Sequence, residues 1–491
     1  MGSPQAASTP MDPQPNATDE LLAPRPLAWP AEPGDWPRPT SGRDDLVAVL
    51  QQRIPTASGG ASPLRGGHRA ALQRLAAIDP AAYGPSRNHL TGAITRLSAD
   101  LRHGVLTLAE VRDAVAGAVL RPGGGGRQGG ETLMRQLGWR DHWQRLWRQL
   151  GDRIWDDLEP MKTGHPPHAY RDELPEDVRE ARTGLACIDA FSGELQQSGW
   201  LHNHSRLWLA SYLVHGRQVR WQAGARWFLT HLLDGDAASN ALSWQWVASS
   251  FSHKPYLFNR ANLVFHGAGH HCEGCPAAAH CPLDGSDEDI KRRWLNLESS
   301  GAAPSAAQGQ RAAVAPVVSD PPPPSAPSPE QQPLQRPIVW VHDGALSPRN
   351  PALVAWPEAP AIFVFDQPEA DRDPLAPPLS LKRLLFQYEC LLELPVTIQD
   401  GESAAAVLAF AHRCGADGIV TTGTVDPRLL RIQKRLRAEL PLQVLEPEPF
   451  VRLSPERERH QPPRFSGQWR QTVEEVWRQA RPSPSAPPPP A

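Results

Sequence analysis

The sequence predicts a chain of several domains, an all-α helical domain followed by an α/β Rossmann-like domain with a five-stranded parallel sheet. Three observations predict this. Over residues 66–297 apolar residues recur at helical spacing, and few Val, Ile or Thr runs alternate. Over 337–451 five short apolar runs alternate with helical stretches, the pattern of parallel strands covered on both faces. Between the two, 299–336 turns to Ala, Pro, Ser and Gln, with Pro321 to Pro324 consecutive, which makes a semi-stiff linker.

The elements follow in order. Residues 1–43 are rich in Pro, Ala, Ser and Asp and read as a disordered tail. The helical domain is assigned to 44–298 and opens with a short helix over 44–53. Thr107 followed by Glu110 is a capping box at the start of a helix. Gly123 to Gly126 is a flexible break, and 201–214 is apolar on one face. In the α/β domain the strands are placed at 338–341, 362–365, 396–398, 418–421 and 442–445. Its helices are placed at 381–394, 403–414 and 427–440. The last part, 452–491, is charged, then Pro-rich, with one helix over 467–481.

Composition excludes several classes. The 491 residues carry a formal net charge of −3, so a nucleic-acid partner needs a local basic face rather than a basic chain. Six Cys exclude a disulfide scaffold, and no apolar run is long enough to span a membrane. The N-terminus lacks the charged and apolar regions of a signal peptide, so the cytoplasm is the expected compartment. Trp, at 17, outnumbers Phe at 11 and Tyr at 5 together, which points either to the core or to stacking and redox roles.

Motifs carry the functional reading. Residues 199–206 read Gly-Trp-Leu-His-Asn-His-Ser-Arg. They are followed by Trp221, by Asp234-Gly-Asp236, by Asn240 and by Trp244-Gln-Trp246. Upstream stand Gly66-Gly67, Tyr83 with Arg87 and Asn88, Thr95-Arg96-Leu97-Ser98, His103-Gly104 and Leu137 to Arg140. The ordered set resembles the FAD-binding domain of the photolyase/cryptochrome family.

The resemblance implies an FAD cofactor. Thr95, Arg96, Leu97 and Ser98, at a turn into a helix, would meet the pyrophosphate, with Arg140 as a planar charged fork. Tyr83 would line the cofactor, and Asp236 would accept from the flavin edge. Arg206 and Asp234 would pair beside the ring, and Asn240 would face flavin N5. Trp244 and Trp221 match the first two electron-transfer aromatics; the third is absent at its usual spacing, so either Tyr170 or Trp200 substitutes or the relay is shortened. Trp139, Trp246, Asn203 and Gln136 match the substrate pocket, where indoles stack on flipped-out bases. Gln136 stands where photolyases for cyclobutane dimers carry Glu, and His204 where the motif has Arg.

Cys272, Cys275 and Cys281 form a C-x2-C-x5-C run, and three close thiols in a reducing compartment argue for metal. With Cys187 they resemble the iron–sulfur class of bacterial cryptochromes and photolyases, which implies a [4Fe–4S] cluster. The alternative is zinc held by three of these Cys with His270, His271 or His280. Cys390 and Cys414 read as small buried residues. The segment from Ile338 to Leu353 resembles the opening of the photolyase N-terminal domain, with His342 and Ala345 replacing its usual Arg residues. Here that domain follows the flavin domain, which looks like a circular permutation.

Two functions follow from the resemblance. One is a light-dependent DNA photolyase-like lyase acting on pyrimidine photolesions in DNA. The other is a cryptochrome-type photoreceptor or redox flavoprotein without repair activity.

Overall fold

The computed structural model describes residues 34–39, 42–297, 333–366, 380–459 and 464–482. The expected linker lies almost wholly outside these residues.

The helical part runs α1 (Arg43–Arg53), α2 (His68–Ala76), α3 (Pro80–Ser86), α4 (Ser98–Arg102), α5 (Leu108–Val119), α6 (Gly126–Leu150), α7 (Glu176–Arg179), α8 (Ala186–Ser198), α9 (Asn203–Ser211), α10 (Trp221–His231), α11 (Ala237–Ala248), α12 (Arg260–Leu263) and α13 (Asp287–Trp294). Local chemistry sets the ends. Thr107 accepts from the Glu110 N–H at 3.1 Å, while Glu110 accepts from the Thr107 N–H at 2.8 Å. Between α5 and α6 the chain turns through Gly123, Gly125 and Gly126, all at positive φ, a region glycine enters without steric cost. Asp236 caps α11 by accepting from the Ser239 N–H at 2.7 Å.

The α/β part holds β1 (Ile338–Val341), α14 (Pro351–Ala355), β2 (Ala361–Asp366), α15 (Leu381–Leu392), β3 (Thr397–Gly401), α16 (Ser403–Arg413), β4 (Ile419–Thr422), α17 (Pro427–Glu439) and β5 (Leu442–Leu445). All neighbours pair in parallel, in the order β3-β2-β1-β4-β5. β1 and β4 are buried along their whole length, as expected of strands with helices on both faces.

The order places the switch point between β1 and β4, where α/β sheets commonly take ligands. Here ion pairs fill that crevice. Arg428 reaches Asp343 at 2.7 Å, and Arg102 of the helical part reaches it at 3.2 Å. Burial alone would raise the Asp343 carboxyl, but Arg428 and Arg102 hold it far below the usual carboxylate range. The two parts also share one apolar core, in which Leu46, Leu106 and Val111 pack with Val339, Phe363 and Leu385.

Three expectations change. The part of the N-terminal tail that is described is built into the fold. Trp36 is buried, stacks on Phe365 at 4.5 Å and donates to Asp400 Oδ1 at 2.6 Å. Arg38 donates to the carbonyls of Leu392 and Val396 at 2.7 and 3.0 Å, so this strap closes the end of α15. The tail's remaining residues, 1–33, 40 and 41, lie outside those described. Cys390 is buried as expected, but Cys414 is exposed at the end of α16. At the C-terminus, α18 (Pro455–Arg459) is followed by α19 (Phe465–Gln479), which packs on α6 with Phe465, Trp469 and Val476 buried. Sequence alone placed a helix there with no partner.

Candidate functional site

The centre of the helical part is built by α9, α10 and α11. Arg206 on α9 forks onto Asp234, with Nη2 at 3.1 and 2.8 Å from its two oxygens. Its Nε donates to the Leu201 carbonyl at 3.0 Å, so the guanidinium is fixed from two sides. Asn240 on α11 donates from Nδ2 to the Ala225 carbonyl of α10 at 2.8 Å, which fixes the amide and its acceptor oxygen.

Asp236 is held within the protein. Its oxygens accept from Ser239 N, from Gln144 Nε2 at 2.9 and 3.1 Å, and from Arg140 Nη2 at 3.4 Å. A carboxylate has about four lone-pair sites. Three donor groups thus occupy most of them, and Asp236 holds Gln144, Arg140 and α11 in place. Burial would raise its pKa, but Arg140, the Ser239 amide and Arg102 hold it below the ordinary value.

The turn before α4 bends through Arg96, at φ 53°, and lays its guanidinium over Trp200 at 4.9 Å. Thr95 Oγ1 accepts from the Leu97 N–H at 3.4 Å, Leu97 is buried, and Ser98 opens α4. Tyr83 lies under the Arg87 guanidinium on α3, and the Arg87 carbonyl meets His202 Nε2 at 3.1 Å. These contacts tie the 83–98 segment to the 200–206 segment. The set offers planar cations, hydroxyls and an amide oxygen, which is the donor and acceptor chemistry that a dinucleotide pyrophosphate and a flavin edge require.

Three indoles lie on and beside α10. Trp244 is buried on α11 over Gly224 of α10, where a side chain would collide with its ring. Trp221 lies one helical turn before Gly224 and donates from Nε1 to Asp157 Oδ1 at 2.6 Å. Trp155, half-buried after α6, stacks parallel on Trp221 with centroids 6.2 Å apart and planes 6° apart. Sequence reasoning did not single out Trp155; its candidates beside Trp221 were Tyr170 and Trp200. Tyr170 bonds Thr163 at 2.7 Å and packs on His165, and Trp200 lies under Arg96.

The expected pocket residues are less uniform. Trp246 is 39% exposed and packs on Tyr256. Asn203 is exposed, and Gln136 Oε1 accepts from Arg87 at 3.3 Å. His204 lies beside His266, with rings 4.5 Å apart. Burial and then the neighbouring histidines push its pKa down to about 4, so it carries no charge where the motif carries Arg. The Trp139 ring is stacked at 3.9 Å under Phe465 of α19.

The four cysteines converge. Cys187, Cys272, Cys275 and Cys281 line one small cavity with Leu185, Leu263, Leu283 and His271. Burial, then its backbone and the other three cysteines, leaves the Cys187 thiol at about 12. Among the described residues no group of three or more His, Cys, Asp or Glu closes around a single metal-ion position. His270 stacks on His271 at 3.9 Å and bonds the Gly267 carbonyl, while His280 sits in the short turn before Cys281. No helix among the described residues is long and apolar enough to cross a membrane.

Residues 133–282 match the family model of the FAD binding domain of DNA photolyase. The deoxyribodipyrimidine photo-lyase of Streptomyces griseus is 36% identical over 174 residues, which cover 34% of this chain and 35% of that protein. The putative mitochondrial cryptochrome DASH of Neurospora crassa is 28% identical over 236 residues, 40% of this chain and 32% of that protein. The archaeal photolyase of Sulfolobus tokodaii, solved with two FAD molecules, aligns at 24% identity and a TM-score of 0.36 over 46% of this chain and 48% of that one. The chain spans about a third of the length of these two curated relatives. Residues 133–282 are thus similar to the FAD binding domain of DNA photolyase, and photolyases and a cryptochrome are among the proteins that this chain resembles.

Proposed function

We propose that this chain binds FAD in its helical part and acts as a photolyase-like lyase, donating an electron under light to a damaged pyrimidine pair in DNA. The observation that carries this reading is the FAD-domain match over 133–282, within which Arg206 of α9 pairs with Asp234 of the turn before α11, and Asn240 and Trp244 lie on α11. FAD, when bound, supplies the light absorption and the one-electron chemistry.

The protein's residues do the rest. Arg206 and Asp234 would hold the ring edge, Asn240 would offer its amide oxygen towards flavin N5, and Arg140 with the 95–98 turn would meet the pyrophosphate. Trp244, Trp221 and Trp155 would relay single electrons from a thiol-class donor in solution towards the flavin, which would be the acceptor, each oxidised indole being refilled by the next. Asp157 accepts the Trp221 Nε1–H and so lowers the cost of taking an electron from that indole.

Cys187, Cys272, Cys275 and Cys281 are read as thiolate ligands of a [4Fe–4S] cluster. Thiolates are soft and anionic and suit iron–sulfur ligation. All four cysteines line one cavity, which supports a shared four-thiolate site. The reversed domain order is read as a circular permutation of the photolyase plan.

A second reading is a cryptochrome-type photoreceptor or redox flavoprotein, favoured by the neutral Gln136 and the covered Trp139. The reduced protein should restore ultraviolet-irradiated oligothymidylate under blue light and not in the dark. Absence of repair of any pyrimidine lesion by fully reduced, flavin-loaded protein selects the second reading.

A further inference from the structure

The 25-residue helix α6 carries a face that another helix covers. Phe465, the first residue of α19, lies on Trp139 with ring centroids 3.9 Å apart and planes 23° apart. Trp143 lies tilted at 4.9 Å from the same ring. A base stacking on an indole needs a free face of the ring. In this structure Phe465 holds that place.

The contact is built in on both sides. At Gly138, beside Trp139, an added Cβ would meet the Trp469 ring at 2.5 Å; at Gly130 it would meet the Trp477 ring at 2.9 Å. Larger residues on this face of α6 would lift α19 away. Polar contacts set the register. His142 bonds Gln468, Trp477 Nε1 donates to Glu131 at 3.0 Å, and Arg127 forks onto Glu474 at 2.9 and 2.6 Å. Next to Phe465, Arg464 reaches His253 at 2.7 Å, in the loop that follows the helix bearing Trp246. The start of α19 thus bridges from Trp139 to the neighbourhood of Trp246.

We infer that the aromatic face of α6 is a docking surface with two alternative occupants, α19 in the resting chain and a nucleobase of single-stranded or base-flipped DNA when α19 is displaced. The inference rests on the proposed placing of Trp139 in the DNA pocket. The pocket is aromatic where a base would enter. Among the described residues, opening it costs the docking of α19, whose outer rim is exposed and carries Arg470, Glu474 and Arg478. Apparent affinity for DNA is then reduced by the fraction of chains in which α19 is docked.

The test uses the full chain and a fluorescent ultraviolet-irradiated oligothymidylate at fixed salt, read by anisotropy. Phe465→Ala removes the ring that competes with the base and should bind roughly tenfold tighter than the wild type. Arg127→Ala loosens the outer end of α19 and should bind up to about threefold tighter although it removes a cation, opposite to the weakening that lost phosphate attraction predicts. Equal or weaker binding by folded Phe465→Ala overturns the inference. A second measurement covers a variant that fails to fold. On adding saturating oligonucleotide to the wild type, amide hydrogen exchange in α19 should rise selectively. Unchanged protection of α19 with DNA bound overturns the competition and leaves the DNA reading standing. Absence of binding by both wild type and Phe465→Ala overturns the DNA reading, and this inference with it.

Discussion

Arg206→Ala removes one partner of a pair whose other member cannot reach water. The Asp234 side chain is 5% exposed and the Arg206 side chain 24%. Breaking a fully buried pair from one side costs about 3–5 kcal/mol, because a charge is left buried and unpaired. The partial exposure of Arg206 admits water, which brings the expected loss to about 2–3 kcal/mol. The Leu201 carbonyl also loses its donor, worth about 1 kcal/mol. The variant should therefore be about 3 kcal/mol less stable in urea unfolding, with flavin occupancy lowered in step. Removing both charges leaves nothing buried and unpaired, so Arg206→Ala with Asp234→Ala should cost less than the sum of the single changes. Strict additivity, or an Arg206→Ala protein with unchanged midpoint and full flavin content, refutes the reasoning.

The other predictions concern electrons, pH and the thiols. Trp155→Phe should slow light-driven flavin reduction by an external thiol, while Trp200→Phe and Tyr170→Phe should leave the rate unchanged; transient absorption reads this. His215 is buried, its Nε2 bonds the Val247 carbonyl at 3.0 Å, and burial pushes its pKa down from 6.5 to about 4. The unfolded chain then takes up a proton that the folded chain refuses, so this stability is present above pH 6.5 and is lost as pH falls towards 4. The gap corresponds to about 3 kcal/mol, and His215→Gln should flatten that part of the stability profile. Cys187→Ala should abolish iron and acid-labile sulfide together; retention of both would exclude it as a ligand.

The strands were legible because a buried parallel strand is a short apolar run with turn residues on each side. β1 and β5 fall where the sequence placed them, and β2, β3 and β4 shift by one to three residues at an end. The capping box at Thr107 was legible for the same reason, since its physics lies within four residues. Contacts that join distant parts of the chain were not. Trp36 sits in a Pro-rich segment whose composition reads as disorder, and only the groove beside Phe365 and Tyr388 orders it. Trp155 has no motif around it; it becomes a neighbour of Trp221 through the short turn after α6. The docking of α19 leaves a trace in Gly130 and Gly138, yet glycines inside a helix do not name their partner. Asp236 was legible as a site residue, but its engagement as the cap of α11 depends on Gln144 and Arg140 arriving from α6.

The most direct measurement is the absorption spectrum of the full chain purified without oxygen, with flavin, iron and acid-labile sulfide determined on the same sample. One FAD per chain, with about four iron and four sulfide removed together by Cys187→Ala, is the predicted result. A folded, colourless protein that takes up no added FAD would contradict the assignment of Arg206, Asp234 and Asn240 to a flavin site.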